Sequence, residues 1–396
     1  MPAYRHLVLL LSMFAAVGSS VVHMGVPFLI PSLQENGLSL SAAGLVAAMP
    51  AAGIVFTLIA WGWFVDRYGE RAALFAGLTS TALTTGLAAL ASSSSPALLG
   101  ATLFLAGCAA ASVNSASGRV VSGWYPPHQR GTAMGIRQMA QPLGAALSAV
   151  TLHPLAQNYS IGVALAMPAI LCAVLALLVL IGVKNPPRPD ASNPTVTASP
   201  YRDGKYLVRI HIASALLSWP QSMMGAYILV WLLSVGYSDG TAGTIVMVSQ
   251  LLGAGSRALM GVVSDRVRSR IRPYRWVSGA TFVLAVAMMI ASWADWRTLG
   301  TLLVCALAVA VVSPNGLAFT AVAEYAGPFW SGRAMGTQNT FQNIIYAATP
   351  PVSGAIVAAA GFPALFAVTA LFPAAALGIA PREDQNRNGR VRVELD

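Results

Sequence analysis

The chain has 396 residues and a formal net charge of +10, and 56% of its residues are hydrophobic while only 9% are charged. That composition excludes a water-soluble globular domain and predicts an all-α integral membrane protein. The positive charge sits in short segments between apolar runs, so it marks topology and excludes a nucleic-acid-binding surface.

Apolar stretches of about 20 residues cross a hydrocarbon core of roughly 30 Å as helices, which satisfy their own backbone hydrogen bonds. Twelve spans are predicted, near 7–30, 42–64, 72–92, 96–121, 132–156, 161–183, 207–234, 241–263, 275–293, 298–322, 334–358 and 361–380. The first, with Arg5 ahead of an apolar run to Ser19-Ser20, has the outline of a signal peptide. Its apolar character continues past Gly25-Val26-Pro27-Phe28 without a clean cleavage context, which predicts a retained span.

Between spans 2 and 3 the chain reads Gly62-Trp63-Phe64-Val65-Asp66-Arg67, and 199 residues later, after span 8, Gly261-Val262-Val263-Ser264-Asp265-Arg266. A Gly-x-x-x-Asp-Arg signal repeated at half the chain length predicts two pseudo-symmetric six-helix halves with charge at one membrane boundary. Internal duplication of membrane helices is transporter architecture. The longest non-apolar segment, Lys184 to Lys205, contains Asn185-Pro186-Pro187-Arg188-Pro189 and has linker composition. The predicted domains are therefore an N-terminal bundle at 1–183, a linker at 184–205, a C-terminal bundle at 206–380 and a tail at 381–396.

Lys and Arg near span ends are retained in the cytoplasm. With the N-terminus inside, the loop and tail cations, including Arg188, Arg387, Arg390 and Arg392, fall on the cytoplasmic side, and the external loops hold only Arg297. The expected location is a bacterial-type plasma membrane with both termini cytoplasmic. Cys108, Cys172 and Cys305 lie in apolar runs without metal-ligand spacing, as ordinary packing residues do.

The segment Gly62 to Arg71, with Asp66-Arg67-Tyr68-Gly69-Glu70-Arg71 at its end, resembles the signature of the major facilitator superfamily between helices 2 and 3. Glu70 departs from it, standing where a basic residue is usual, and the second copy is weaker at Val267 and Arg268. Trp124 to Gly135, echoed by Gly332-Arg333-Ala334-Met335-Gly336, is similar to that family's helix 4–5 junction. The resemblance spans nearly the whole chain and implies alternating access, with a junction that latches the halves in an outward-facing state. The gating residues it implies are Gly62, Asp66, Arg67, Gly69, Arg71, Gly261, Asp265 and Arg266; Arg119, one turn from Trp124, is expected to join them. Asp66 at a helix C-terminus faces the negative end of the dipole, so a nearby cation and the N-terminus of another helix are expected to compensate it.

Polar groups inside spans are costly in lipid unless they face protein or a wet cavity. They are His23, Asn114, Arg119, Arg137, Gln138, Gln141, Gln221, Gln250, Arg257, Asn315, Gln338, Asn339, Gln342 and Asn343, and spans 3, 6, 9 and 12 hold nothing stronger than Ser, Thr, Trp or Cys. Gln138 and Gln141 face one way on span 5, as do Asn339, Gln342 and Asn343 on span 11, and either stripe serves substrate contact or helix packing. Every acidic residue falls at a helix end, in a loop or in the tail, whereas Arg137 and Arg257 lie inside spans, which favours anions over cations. Arg257 lies eight residues before Asp265, about 12 Å along the helix. The run Arg257 to Asp265 resembles helix 8 of monocarboxylate, oxalate/formate and nitrate transporters of the family, where an Arg at this spacing binds the anion.

The candidate substrate residues are Arg257, Arg137, His23, Gln138, Gln141, Gln221, Asn339 and Gln342. No Gly-x-x-x-x-Gly-Lys-[Ser/Thr] loop, metal-ligand cluster or activated nucleophile is visible, so neither an enzyme nor a cofactor is expected. The expectation is a monomeric secondary transporter of a small organic or inorganic anion in a lipid bilayer, without nucleic-acid partners. The alternatives are an exporter of drugs or neutral metabolites with a structural Arg257, and a sensor or scaffold that kept the fold.

Overall fold

A computed structural model describes residues 2–38, 40–186 and 198–385. The central part of the predicted linker, with Arg188, and the end of the tail, with Arg387, Arg390 and Arg392, lie outside the described residues. Among the described residues the regular structure is helical throughout. The chain is an all-α membrane protein of twelve spans in two six-helix halves.

Ten of the described helical stretches are long and apolar enough to cross a membrane. One of these, Ser331–Ile379, is spans 11 and 12 run together, with Gly361 at φ 75° marking the join. Only glycine adopts that backbone without strain, so the chain turns there between two apolar segments. Span 5 is divided, as Pro127–Gln138 and Ala140–Asn158, with a turn at Met139. Span 1 (Pro2–Gly25) passes through a 3-10 turn at Val26–Leu29 into Ile30–Glu35, where Pro27 and Pro31 withhold amide donors. Span 10 is broken between Arg297–Val312 and Asn315–Ala326, with Pro314 in the gap. The remaining spans run uninterrupted as Leu40–Tyr68, Glu70–Ala91, Pro96–Trp124, Ile161–Gly182, Tyr206–Ser234, Asp239–Val267 and Ile271–Trp293. Serine caps begin several of them: Ser95 accepts from the Leu98 amide at 3.2 Å and Ser160 from that of Val163 at 3.2 Å.

The contacts form two compact units. One comprises the described parts of Met1–Pro126, Met139–Thr197 and Gly327–Asn339; the other comprises Pro127–Gln138 and the described parts of Ala198–Ala326 and Thr340–Asp396. The first halves of spans 5 and 11 thus each pack with helices of the other sequence half. Within the first unit, spans 2 and 4 approach so closely that a methyl group at Gly53 would lie 2.1 Å from the Phe104 carbonyl. Such small-residue contacts supply the packing that hydrophobic burial cannot supply in lipid. Large apolar side chains accordingly point outward on span 6, as at Ile170 and Ile181.

Candidate functional site

The first unit surrounds Asp66, at the C-terminal end of span 2, with donors. Its Oδ1 accepts the Gly332 amide at 3.0 Å, and its Oδ2 accepts the Arg333 amide at 3.0 Å and Arg333 Nε at 2.9 Å. The helix that supplies these amides starts at Ser331, so the carboxylate caps a helix N-terminus and meets its positive dipole end. Arg119 of span 4 adds Nη1 to Asp66 at 3.0 Å and places Nε 2.8 Å from Glu70. Glu70, buried at the start of span 3, is therefore the far end of an Asp66–Arg119–Glu70 chain, which accounts for an acidic side chain where the signature has a basic one.

Glycines set the approach. A methyl group at Gly62 would lie 2.5 Å from the Gly332 carbonyl, and one at Gly336 would lie 2.6 Å from the Leu58 carbonyl. Gly69 turns the chain at φ 97° between spans 2 and 3, and next to it the Arg71 amide donates to Asn185 Oδ1 at 2.9 Å. The Arg71 guanidinium donates to the Leu180 carbonyl at 2.5 Å, and Arg67 lies over the Tyr68 ring, 5.9 Å from its centroid. Arg67 and Arg71 thus stand beside the Asp66 cap, which is built from Arg119 and Arg333.

The second unit repeats this construction at Asp265, at the end of span 8. Its Oδ1 accepts the Gly131 amide at 3.0 Å; its Oδ2 accepts the Thr132 amide and hydroxyl, each at 2.7 Å. Arg270 reaches Asp265 at 2.6 Å and Glu324 at 3.1 Å, and it also donates to the Pro127 carbonyl. Burial disfavours the Arg270 charge, but Glu324 and then Asp265 outweigh it and raise its pKa above the ordinary arginine value. Gly261 and Gly131 face each other: a methyl group at Gly261 would lie 2.2 Å from the Gly131 carbonyl. Arg266 is exposed and takes no part in this cap.

Deeper in the second unit, Arg137, Gln138 and Arg257 come together, all buried. Arg257 Nη1 donates to the Gln138 carbonyl at 2.6 Å. That carbonyl ends the first segment of span 5, where the turn at Met139 interrupts the helical ladder. Gly135 permits the approach, since a methyl group there would lie 2.4 Å from the Arg257 carbonyl. Arg137 lies over the Phe319 ring, 5.9 Å from its centroid, and is near enough to Arg257 for the two charges to repel. Tyr346 of span 11 lies near enough to Arg257 for the two to interact electrostatically.

The other predicted substrate residues are placed separately. Gln221 accepts from Asn315 Nδ2 at 3.1 Å in the second unit. His23 Nδ1 bonds the Ser19 carbonyl at 2.9 Å in the first, and Asn339 turns back to the Met335 carbonyl of its own helix at 3.0 Å. Gln141 and Gln342 are partly buried, and the units assign Gln138 and Gln141 to different bodies, as they do Asn339 and Gln342. Both polar stripes, Gln138 with Gln141 and Asn339 with Gln342 and Asn343, are thus divided between units.

Sequence reasoning missed Gly131, Thr132, Arg270, Glu324, Arg333 and Tyr346 as site residues. A signal for some of them was present: Gly131 and Gly135, and Gly332 and Gly336, are pairs four residues apart, the spacing of small-residue helix contacts.

A sequence model of the Major Facilitator Superfamily matches residues 8–350. The chain belongs to that superfamily. An uncharacterised MFS-type transporter of Mycobacterium tuberculosis is 44% identical over 387 residues, 95% of this chain and 85% of the relative. A probable galactarate/D-glucarate transporter of Bacillus subtilis is 24% identical over 356 residues, 78% of each chain. Among solved structures, the Escherichia coli fucose:proton symporter superposes with a TM-score of 0.76 at 16% identity, covering 94% of this chain and 97% of that one. The protein is an MFS transporter for small molecules, a multi-pass membrane protein and not an enzyme.

Proposed function

We propose that this MFS transporter moves a small organic or inorganic anion, monocarboxylate-like in its simplest form, by alternating access. The observation that carries the reading is the buried cluster of Arg257 with Arg137 and Gln138 in one unit, in a chain whose acidic residues all lie at span ends or outside spans. A guanidinium presents a planar fork that pairs with a carboxylate or nitrate in bidentate fashion. The relative named for galactarate and D-glucarate, both carboxylates, supports the same class. His23, Gln138, Gln141, Gln221, Asn339 and Gln342 complete the proposed substrate set.

In this proposal the six-helix halves, 1–183 and 206–380, are the moving bodies, joined by the 184–205 linker. The caps at Asp66 and Asp265, with Gly62, Arg67, Gly69, Arg71, Arg119, Gly261 and Arg266 around them, form in one conformation and open in the other. The protein acts as a monomer in a bacterial-type inner membrane, with its termini in the cytoplasm.

The test is uptake by proteoliposomes, preceded by a thermal-shift screen of carboxylates, nitrate and drugs, since a ligand of the folded state raises its apparent stability. Arg257→Ala should lower anion affinity about ten- to a hundredfold, the loss of a charge-assisted contact of roughly 1.5–3 kcal/mol. Normal anion transport by that variant, or transport of cations only by the wild type, would overturn the anion reading in favour of drug or neutral-metabolite export.

A further inference from the structure

At the membrane face opposite the Asp265 cap, spans 7 and 9 end, span 10 begins and span 12 sets out after Gly361, and a pocket of about 180 Å³ lies among them in the second unit. Its two charges are Asp295, just past the end of span 9, and Arg297, the first residue of span 10. Each stands at the unfavourable helix end: a carboxylate after a C-terminus meets the negative end of one dipole, and a guanidinium at an N-terminus meets the positive end of the next. They do not relieve each other. Arg297 turns to the Gly236 carbonyl at 3.0 Å and to the Tyr237 ring, 4.1 Å from its centroid, and neither Asp295 nor Arg297 has an ion pair among the described residues. Backbone geometry does not call for an aspartate either. Asp295 has φ 54°, and the Trp296 amide bonds back to the Ala291 carbonyl at 2.9 Å, a left-handed helix ending that glycine or asparagine serves as well. The walls add unused donors. Trp231 lines the pocket and is 2% exposed, its indole N–H has no acceptor among the described residues, and it is not one of the fully enclosed polar atoms, so it keeps access to the pocket. The first amides of span 10 have no side-chain cap, since Trp296 stands at the N-cap. Trp293 and Trp296, 79% and 53% exposed, place this end of the unit at the level of the lipid headgroups, where tryptophan collects.

We infer that this pocket holds the headgroup of a phospholipid that carries a phosphate and a primary ammonium, phosphatidylethanolamine, with the phosphate on Arg297 and the ammonium on Asp295. Both dipole mismatches are then reversed, because the phosphate lies at the start of span 10, where anions are favoured, and the ammonium at the end of span 9, where cations are. A purely anionic headgroup satisfies Arg297 but meets Asp295 as a like charge. A trimethylammonium headgroup brings the right charge but no N–H to donate to the carboxylate. The pocket has room for a headgroup and not for acyl chains, which are left to the exposed Leu299 and Leu302 of span 10. None of these residues belongs to the proposed substrate set, so the inference stands apart from the anion reading.

The test is a lipid titration of the purified full-length transporter in detergent. Dioleoyl phosphatidylethanolamine, phosphatidylcholine and phosphatidylglycerol in mixed micelles, and soluble phosphoethanolamine, are compared by native mass spectrometry and by melting temperature. For the wild type, the ethanolamine lipid should bind at least about tenfold more tightly than the glycerol lipid, the size of one charge-assisted pairing, with the choline lipid between them. Asp295→Asn keeps the left-handed turn and should abolish that ratio by weakening the ethanolamine lipid alone. Arg297→Gln should weaken all three lipids, since all carry the phosphate, and Arg297→Lys should restore part of the loss. Should Arg297→Gln also lower the melting temperature of the lipid-free protein, the Asp295→Asn series decides by itself. Equal binding of the three lipids to wild type, or an ethanolamine preference that survives Asp295→Asn, overturns the inference. Binding of soluble phosphoethanolamine without binding of the ethanolamine lipid overturns it as well, in favour of a soluble zwitterion.

Discussion

The two aspartate caps are built on one plan with opposite wiring. Asp66 and Asp265 each end a span, each accept two successive amides from the N-terminal half of another span, and each sit where two glycines let backbones touch. The supporting ions differ. In the first unit the anion stands at the start of span 3, as Glu70, and the cation inside span 4, as Arg119. In the second, the cation stands just before span 9, as Arg270, and the anion near the end of span 10, as Glu324. The side chain on the second capping amide has changed as well, since Arg333 brings a guanidinium to Asp66 where Thr132 brings a hydroxyl to Asp265. What both units keep is the geometry around a carboxylate at a helix N-terminus; the neighbouring pair keeps its complementarity but exchanges its signs. A buried ion pair tolerates such an exchange because either polarity compensates the charges it removes from water.

The backbone contacts can be broken first. Gly62→Leu and Gly261→Leu each force a side chain into a carbonyl of the facing helix, at 2.5 and 2.2 Å from the first added atom. Overpacking of this kind costs typically 1–3 kcal/mol, and about that or more is expected at both sites because backbone cannot yield as a side chain can. Thermal denaturation in detergent measures it, with Gly255→Ala as the control, since a methyl group there meets open space. Melting of the Gly62 or Gly261 variant within a degree of wild type would refute the close approach.

The aspartates themselves come next. Asp66→Asn should slow turnover while leaving substrate affinity within a few-fold, because it shifts a conformational equilibrium and leaves the site intact. Asp265→Asn should do the same to a smaller extent, since Asp66 binds two guanidiniums and Asp265 one. Loss of binding with an unchanged conformational distribution would contradict the latch role of either.

The sign exchange can be imposed on the first unit. Glu70→Arg combined with Arg119→Glu recreates there the polarity found at Arg270 and Glu324. The double variant should be more stable and faster than either single variant, because each single change leaves a buried charge uncompensated. Equal damage in all three would mean that each unit depends on its own polarity. The smallest effect is expected for Thr132→Val, which removes one hydroxyl donor from Asp265 and keeps both amides, a loss of about 0.5–1.5 kcal/mol on unfolding.

Much of this is legible in the amino-acid sequence. Uninterrupted apolar runs predict the spans, because lipid offers the backbone no other partner, and the repeated Gly-x-x-x-Asp-Arg predicts the duplication. The Asp66 cap was also legible in outline, since a carboxylate at a helix C-terminus demands a cation and a second helix end. Which cation was not: Arg333 and Arg270 have the same one-dimensional appearance as the loop arginines that mark topology, and Glu70 looks like a departure from a signature until Arg119 reaches it from 49 residues away. Arg137 and Arg257 were visible as charges inside spans, but their union at the end of a helix segment was not, because the turn at Met139 carries no proline or glycine at the break itself. The sequence by itself determined a duplicated, twelve-span membrane protein with positive charge inside it, because hydropathy and charge act along the chain. Only the tertiary structure decided which helices exchange partners, which ions pair and which carbonyl receives Arg257, because most of those contacts join residues on different spans, dozens to hundreds of positions apart, through backbone approaches that small residues permit but do not specify.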